Sequence, residues 1–171
     1  MQLTDADYVV LGFLLFRPMT GYELKAIMDQ TTGHFYRPSF GGIYPSLGKL
    51  AREKLAAVSR SELGGKLKKI YRPLPAGRKA FLAWLKIPPD ITRGPGLILA
   101  KMFFWGRLDR GSAKAQTAEI RRLARDRSKW LEGIGKAYAD VADSFQIATS
   151  RFGIEYYRFL DEWFGEFQEE L

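Results

Sequence analysis

The 171-residue chain contains no cysteine and only one histidine, His34. Without cysteine it can form neither a disulfide nor a thiolate zinc site, and it has no cysteine nucleophile. A Ser-His-Asp triad or a multi-histidine metal site would have to depend on His34 alone. We interpret His34 as a loop or interface residue. Because Walker and Rossmann phosphate-binding motifs are also absent, we predict a protein that is not an enzyme and has no cofactor.

Long apolar runs are missing as well. The longest run near the N-terminus, Val9–Phe16, is interrupted by Gly12 and is far shorter than the roughly 18 residues of a membrane-spanning helix. Asp5 and Asp7 precede it, where a signal peptide would carry positive charge. These features predict a cytoplasmic protein that does not contact a membrane.

The positive charge is concentrated in the N-terminal half. Residues 1–90 carry a net charge of +7, whereas residues 91–171 carry only +1. Ten basic residues lie between Lys49 and Lys79, opposed only by Glu53 and Glu62. This asymmetry suggests a polyanionic partner for the first half, although a basic run taken alone is more often a solvated surface.

Apolar periodicity predicts three helices in the first part of the chain. The first covers residues 5–16 with Asp5 as its N-cap, and the second begins after Thr20 as N-cap. Ser39 is the expected cap of the third. Pro45 is tolerated only near a helix start, so this third helix should begin at or after Phe40.

The pattern then alternates, which predicts a β-hairpin with a turn at Gly64-Gly65. Val58 and Ile70 are expected to face the core, with Tyr71 more exposed. A fourth helix should begin at Pro75 and end before Pro88-Pro89. Three helices followed by a hairpin are typical of a winged helix-turn-helix, so the predicted fold is mainly α with a small β-hairpin.

We place the domain boundary at Pro88-Pro89, which gives a DNA-binding domain at 1–88 and an α-helical domain at 89–171. A helix from Ser112 to about Phe145 and another over about 151–170 are expected in the second domain. A flawed heptad seam and an aromatic last helix predict coiled-coil-like dimerisation. The candidate dimerisation residues are Ile120, Leu131, Ile134, Tyr138, Val141, Phe145, Phe159 and Trp163.

Four segments in a fixed order resemble the PadR family of bacterial transcriptional regulators. They are VVLGFLL in the first helix, TGYEL at 20–24, GGIYPSLGKLAREKL at 41–55 and KKIYRPLPAGRKAF at 68–81. LILAKMFFWG at 97–106 is similar to the branch with a long helical C-terminal domain, which includes phenolic-acid repressors and a virulence activator. The sequence departs from the family pattern at two helix ends. Leu74-Pro75 stands where the family usually has a threonine N-cap for the helix after the hairpin, and Lys54-Leu55 stands where a glycine usually ends the third helix.

The resemblance implies that the third helix enters the major groove of duplex DNA and that the hairpin contacts phosphates. Expected contacts of the recognition helix and the residues before it are Arg37, Ser39, Gly42, Tyr44, Pro45, Ser46 and Lys49. Lys49 is the residue expected to read a guanine, and Tyr44 either approaches a phosphate or packs on the second helix. The wing candidates are Lys66, Lys68, Lys69 and Arg72, and weaker phosphate candidates are Thr20 and Tyr22.

The implied function is a homodimeric regulator, by family default a repressor, on a palindromic operator with half-sites about 34 Å apart. An aromatic or phenolic effector could bind near Phe104, Trp105 and Tyr156, although core and dimer packing is the more usual role of such aromatics. The alternative function is a winged helix that binds a protein partner without reading DNA. The basic cluster argues against that alternative.

Overall fold

The computed structural model describes residues 2–36, 42–63 and 66–171. Over these residues the chain is mainly helical with one small antiparallel sheet, which confirms the predicted fold class. The chain divides into two compact units, Met1–Leu108 (unit 1) and Asp109–Leu171 (unit 2). In the described ranges, no helix combines the length and the apolar composition that crossing a membrane requires.

Unit 1 is built from helices around a three-stranded sheet. In chain order its elements are α1 (Asp5–Leu14), β1 (Met19–Thr20), α2 (Gly21–Thr31), α3 (Ile43–Arg52), β2 (Ala56–Leu63), β3 (Lys66–Pro73), α4 (Pro75–Leu85) and α5 (Pro95–Met102). Strand β3 lies between β1 and β2 and is antiparallel to both. Three helices followed by this hairpin form the predicted winged helix-turn-helix.

Reciprocal capping boxes begin the first two helices. The N-cap of α1 is Thr4 and not Asp5: its hydroxyl accepts the N–H of Asp7, and the Asp7 carboxylate accepts the N–H of Thr4 at 2.8 Å. Thr20 caps α2 in the same way with Glu23, as predicted. Each box satisfies two backbone donors that a helix start leaves without partners.

Helix α3 begins after Phe40, as the position of Pro45 predicts. Its first residue is Ile43 and its N-cap position is held by Gly42, while the predicted cap Ser39 lies outside the described residues. This start places Pro45 at the third helical position, where a missing N–H costs no intrahelical hydrogen bond. Helix α4 begins at Pro75 as predicted, and Leu74 provides no side-chain cap.

The hairpin residues are oriented differently from the prediction. Val58 is 42% exposed, whereas Tyr71 is only 8% exposed. The two residues are directly paired, but Tyr71 lies on the central strand, where its other neighbour is the buried Met19 of β1. Val58 lies on the edge strand β2, and Ile70 is half-buried. The burial of these two side chains therefore depends more on whether their strand is central or at the edge of the sheet than on their hydrophobicity.

Aromatic rings fill the centre of unit 1. The ring of Phe104 lies edge-on at 5.3 Å from both Phe13 and Phe81. A Cβ at Gly12 would lie 2.6 Å from the Phe81 ring, which explains the glycine inside the apolar run of α1. Because Phe104 follows α5 and belongs to this core, the unit extends to Leu108 and the predicted boundary at Pro88-Pro89 is too early.

A buried lysine joins α5 to the end of α4. The Lys101 ammonium donates to the carbonyls of Trp84 at 2.7 Å and Ile87 at 2.5 Å, and lies 4.4 Å from the centroid of the Trp84 ring. A cation is favourable at the C-terminal end of a helix. Burial lowers the pKa of Lys101 to about 8.

Unit 2 is an antiparallel helical hairpin of α6 (Arg110–Ala137) and α7 (Ser144–Glu170). The predicted helix through Phe145 is therefore wrong, because α6 ends at Ala137 and α7 begins seven residues before its expected start. Asp143 determines the new start, since its carboxylate accepts the N–H groups of Phe145 and Gln146 at 2.8 and 2.9 Å. Asp109, and not Ser112, caps α6.

The first part of the predicted heptad seam packs α6 against α7 within the same chain. Ile120 is fully buried, and a Cβ at Gly153 of α7 would lie 2.9 Å from the side chain of Leu131 of α6. Arg121 and Asp161 form an ion pair at 2.9 Å across the same helix pair. The heptad pattern thus reports the packing of α6 on α7, and Ile120 is not available for dimerisation.

Candidate nucleic-acid interface

Helix α3 has one apolar side that fixes it in unit 1. Ile43, Leu47 and Leu50 are buried at spacings of four and three residues, as an amphipathic helix requires. This arrangement determines which residues of α3 remain for a ligand.

Ser46 and Lys49 lie on the buried side, so the prediction that they are exposed is wrong. Ser46 is 5% and Lys49 is 7% exposed. The Ser46 hydroxyl donates to Asp7 Oδ1 at 2.7 Å, and Lys49 Nζ donates to Asp7 Oδ2 at 2.7 Å and to the carbonyl of Gln2 at 2.6 Å. We call Asp7, Ser46 and Lys49 the Asp7 network. It connects α3 to the start of α1.

The carboxyl of Asp7 remains ionised at the centre of this network. Burial by itself would raise the pKa of Asp7, but hydrogen bonds from Lys49, Thr4 and Ser46 together hold it below its usual value. Lys49, which is predicted from the sequence to read a guanine, is therefore paired inside unit 1. Replacing the Lys49–Asp7 contact by a contact to DNA would leave a buried carboxylate unpaired.

The exposed side of α3 carries the exposed residues Tyr44, Pro45 and Arg52, and the half-buried Gly48. Tyr44 is 55% exposed, and a Cβ at Gly21 would lie 2.6 Å from its ring. The ring thus packs against the first residue of α2 with one side and remains accessible on the other. Both alternatives considered for Tyr44 are compatible with this position.

Basic residues of the wing are distributed over both faces of the hairpin. Arg60 lies directly opposite Lys69, and both are exposed. Lys68 and Arg72 are exposed on the other face, because side chains alternate along a strand. Like charges directly opposite each other destabilise a strand pair. A polyanion at this position would remove that repulsion.

A groove of about 930 Å³ lies between the start of α2, the exposed side of α3 and strand β3. Tyr44, Gly48, Lys68 and Lys69 line it, together with the exposed Tyr22. Thr20 also lines the groove, but its hydroxyl is hydrogen-bonded to Glu23. The N–H and hydroxyl of Thr20 hold the pKa of Glu23 below its usual range.

Some predicted contacts lie outside the described residues, and others were missed. Arg37 and Ser39 are outside the described ranges, and Lys66 is described only as the first residue of β3. Gly42 is half-buried at the N-cap of α3. The contacts predicted from the sequence did not include Arg52, Gly48 or Arg60, which the structure places on the surfaces described above. Gly48 and Arg52 follow Tyr44 at spacings of four residues. This helical spacing places all three on one side of α3 and was the signal that could have identified Gly48 and Arg52.

The predicted effector residues belong to two different units. Phe104 and Trp105 are buried in the core of unit 1, and Tyr156 lies in α7 of unit 2, where burial raises the pKa of its hydroxyl. Unit 2 has its own groove of about 600 Å³ at the α6–α7 turn. Its lining includes the apolar residues Ile134, Tyr138, Val141 and Ile147, the cations Lys136 and Arg151, and the carboxylate of Glu132.

The helix order, the hairpin and the exposed side of α3 define unit 1 as a winged helix-turn-helix domain. Residues 10–83 match the model of the "Transcriptional regulator PadR-like family". This part of the chain is therefore similar to the PadR-like family of transcriptional regulators, in agreement with the resemblance seen in the sequence.

The chain is also similar to individual known proteins. The chain is 30% identical over 79 residues to the negative transcriptional regulator PadR of Bacillus subtilis; the match covers 46% of this chain and 43% of that protein, less than half the length of this curated relative. The crystal structure of Bacillus subtilis PadR in complex with operator DNA gives a TM-score of 0.46 at 21% identity, covering 96% and 97% of the two chains. The Vibrio cholerae virulence activator AphA gives 0.43 at 23% identity, covering 96% of each.

Proposed function

We propose that this protein is a DNA-binding transcriptional regulator, acting as a repressor on a palindromic operator, and not an enzyme. The observation that carries the proposal is the exposed side of α3 beside the exposed cations Arg52, Lys68 and Lys69. In this family of folds such a helix enters the major groove while the wing lies along the phosphates. A cytoplasmic location follows from this role.

In the proposed complex the two sets of contacts have different tasks. Lys68, Lys69 and Arg60 neutralise phosphates and thereby fix the orientation of unit 1 on the duplex, without reading sequence. Helix α3 contacts the base edges. The Asp7 network keeps the orientation of α3 fixed during binding. Its two buried charges, on Asp7 and Lys49, are paired with each other, and separating them would be costly.

The salt dependence of operator binding tests this function. With about four to six phosphates neutralised per site, log K should fall by roughly four to five for each tenfold increase in salt concentration. Gel shifts or fluorescence anisotropy with the DNA upstream of the protein's own gene would measure the slope. Tight, specific binding with a shallow slope would contradict the proposed interface, and binding to a protein partner instead would support the alternative function.

The pair Arg60–Lys69 gives a prediction with opposite effects on stability and binding. In Lys69→Glu the new carboxylate faces Arg60 across the hairpin, so the free energy of unfolding should rise by about 0.2–1 kcal/mol. Operator affinity should fall, because one phosphate contact becomes a repulsion. Thermal melting and anisotropy titrations measure the two quantities. Lys79→Glu, an exposed charge reversal on α4, is the control, and equal loss of affinity in both variants would refute the wing assignment.

We propose further that the protein acts as a homodimer through unit 2. Helix α7 has an inner apolar side, with Tyr157, Leu160 and Phe164 buried. A second side of the helix, about 110° around from the first, carries Phe145, Phe152 and Phe159, seven residues apart and exposed at 83%, 72% and 57%. We call these three the α7 stripe. A helix with two apolar sides is usually covered on both.

The other predicted dimerisation residues lie at different positions in unit 2. Trp163 is 37% exposed and extends the α7 stripe with heptad spacing. Ile134, Tyr138 and Val141 are exposed around the α6–α7 turn, whereas Leu131 is half-buried. A second copy of the chain is the partner that a palindromic operator requires.

An aromatic or phenolic acid is the proposed effector. The groove at the α6–α7 turn supports this, because its apolar wall is accompanied by the cations Lys136 and Arg151. Flat apolar ligands with one carboxylate suit such a lining. A solved structure of Bacillus subtilis PadR contains p-coumaric acid. Phe104 and Trp105 are not part of this proposal, because the core of unit 1 buries them.

A further inference from the structure

We propose that α3 reads its operator mainly through thymine methyl groups, using the exposed side formed by Tyr44, Pro45 and Gly48. The inference rests on the proposed DNA-binding function and specifies the ligand of the same surface. We call these three residues the apolar face of α3.

The first argument is the small number of hydrogen-bonding side chains that α3 offers to DNA. All residues of α3 are described, and its polar side chains are Tyr44, Ser46, Lys49 and Arg52. Ser46 and Lys49 are committed to Asp7. Arg52 is the last residue of the helix, whereas the N-terminal residues of a recognition helix are the ones that reach base edges. Tyr44 alone remains in the first turn, where it is 55% exposed.

The second argument is the glycine at position 48. A Cβ built there meets no atom within 4 Å, so the fold does not require a glycine. Glycine inside a helix costs about 1 kcal/mol relative to alanine. Gly48 lies one turn after Tyr44 on the same side, and it allows the backbone of α3 to approach a groove floor closely. The glycine at position 48 is therefore explained by the close approach of a ligand and not by packing within the protein.

The chemistry of the major groove connects these two arguments. The C5-methyl of thymine is the one apolar group that a base presents there, and apolar side chains contact it. The Tyr44 ring is held in place by its contact with Gly21, and Pro45 has no rotatable side chain, so both surfaces are rigid before binding. A rigid apolar surface discriminates a methyl group by shape and contact, without a hydrogen bond.

Deoxyuridine substitution tests this inference, because it removes the methyl and leaves the base-pairing groups unchanged. An operator is first selected from a random duplex library with the full-length protein. Each thymine is then replaced singly by deoxyuridine, and binding is measured by anisotropy at constant salt. We expect about fourfold weaker binding for each methyl that α3 contacts, since a buried methyl contributes about 0.8 kcal/mol. Substitutions at thymines in the flanking DNA serve as controls.

Variants at position 44 separate ring contact from hydrogen bonding. Tyr44→Phe should retain the discrimination between thymine and deoxyuridine, whereas Tyr44→Ala should reduce it, and circular dichroism confirms that each variant is folded. Discrimination lost in Tyr44→Phe, or equal binding of all deoxyuridine operators within twofold, would overturn the inference and leave DNA binding intact. If selection yields no bound duplex even at low salt, the proposed function itself fails.

Discussion

Replacing Asp7 with alanine is expected to lower the free energy of unfolding by about 3–5 kcal/mol, because it leaves the buried ammonium of Lys49 without its counter-ion. The same change removes the acceptor of the Ser46 hydroxyl and half of the capping box that begins α1. Chemical denaturation followed by circular dichroism measures the loss. Asp29→Ala, an exposed carboxylate in α2, is the control and should change stability by less than about 0.5 kcal/mol.

A double-mutant cycle distinguishes the ion pair from simple packing. Lys49→Met should destabilise strongly by leaving the Asp7 carboxylate buried and unpaired. Asp7→Leu combined with Lys49→Met should recover much of the loss, since apolar groups can replace a buried pair. Purely additive effects would show that the two side chains do not interact. Recovered stability with weakened operator binding would show that the network orients α3.

The pH dependence of stability provides a second readout for Asp7. Its folded pKa lies below the ordinary value of 3.8, which the unfolded chain retains. The stabilisation by the carboxylate is therefore complete above about pH 4 and is lost as the pH falls through the lower folded pKa. The decrease in stability on acidification should be smaller in Asp7→Asn than in the unchanged protein. Equal decreases would contradict the role of the ionised form.

The elements of unit 1 were predictable because their signals are local. Thr20 with Glu23 marks a helix start, Pro75 marks another, and the alternating pattern marks the two strands of the hairpin, whereas the turn predicted at Gly64-Gly65 lies outside the described residues. These patterns depend on residues within one helical turn or one β-turn. The same reasoning failed at Lys49, since its partner Asp7 is 42 residues away and local periodicity carries no information about such a contact.

Unit 2 illustrates a different limit of sequence reasoning. The heptad series beginning at Ile120 predicted one long helix and a seam between two chains, but the structure uses its first part within the chain. Periodicity identifies an apolar side and leaves the identity of its partner open. The interruption between α6 and α7 depends on the capping box of Asp143 with Gln146, a signal that the series of large apolar residues obscured.

Phe152→Asp is expected to convert the protein from a dimer to a monomer at micromolar concentration. Phe152 is the middle residue of the α7 stripe, and a carboxylate there would have to be buried without a partner in the proposed interface. Analytical ultracentrifugation or light scattering measures the state. Affinity for the full palindrome should fall towards that for a single half-site, because the second half-site contact is no longer linked to the first.

Ile147→Asp is the matched control for this variant. Ile147 lies on the same helix and is half exposed, but its position is about 200° around the helix from Phe145. It should therefore remain dimeric and retain affinity for the palindrome. A dimeric Phe152→Asp protein would show that the α7 stripe is not the contact between copies. Monomers in both variants would instead place the contact at the α6–α7 turn, where Tyr138 and Val141 are exposed.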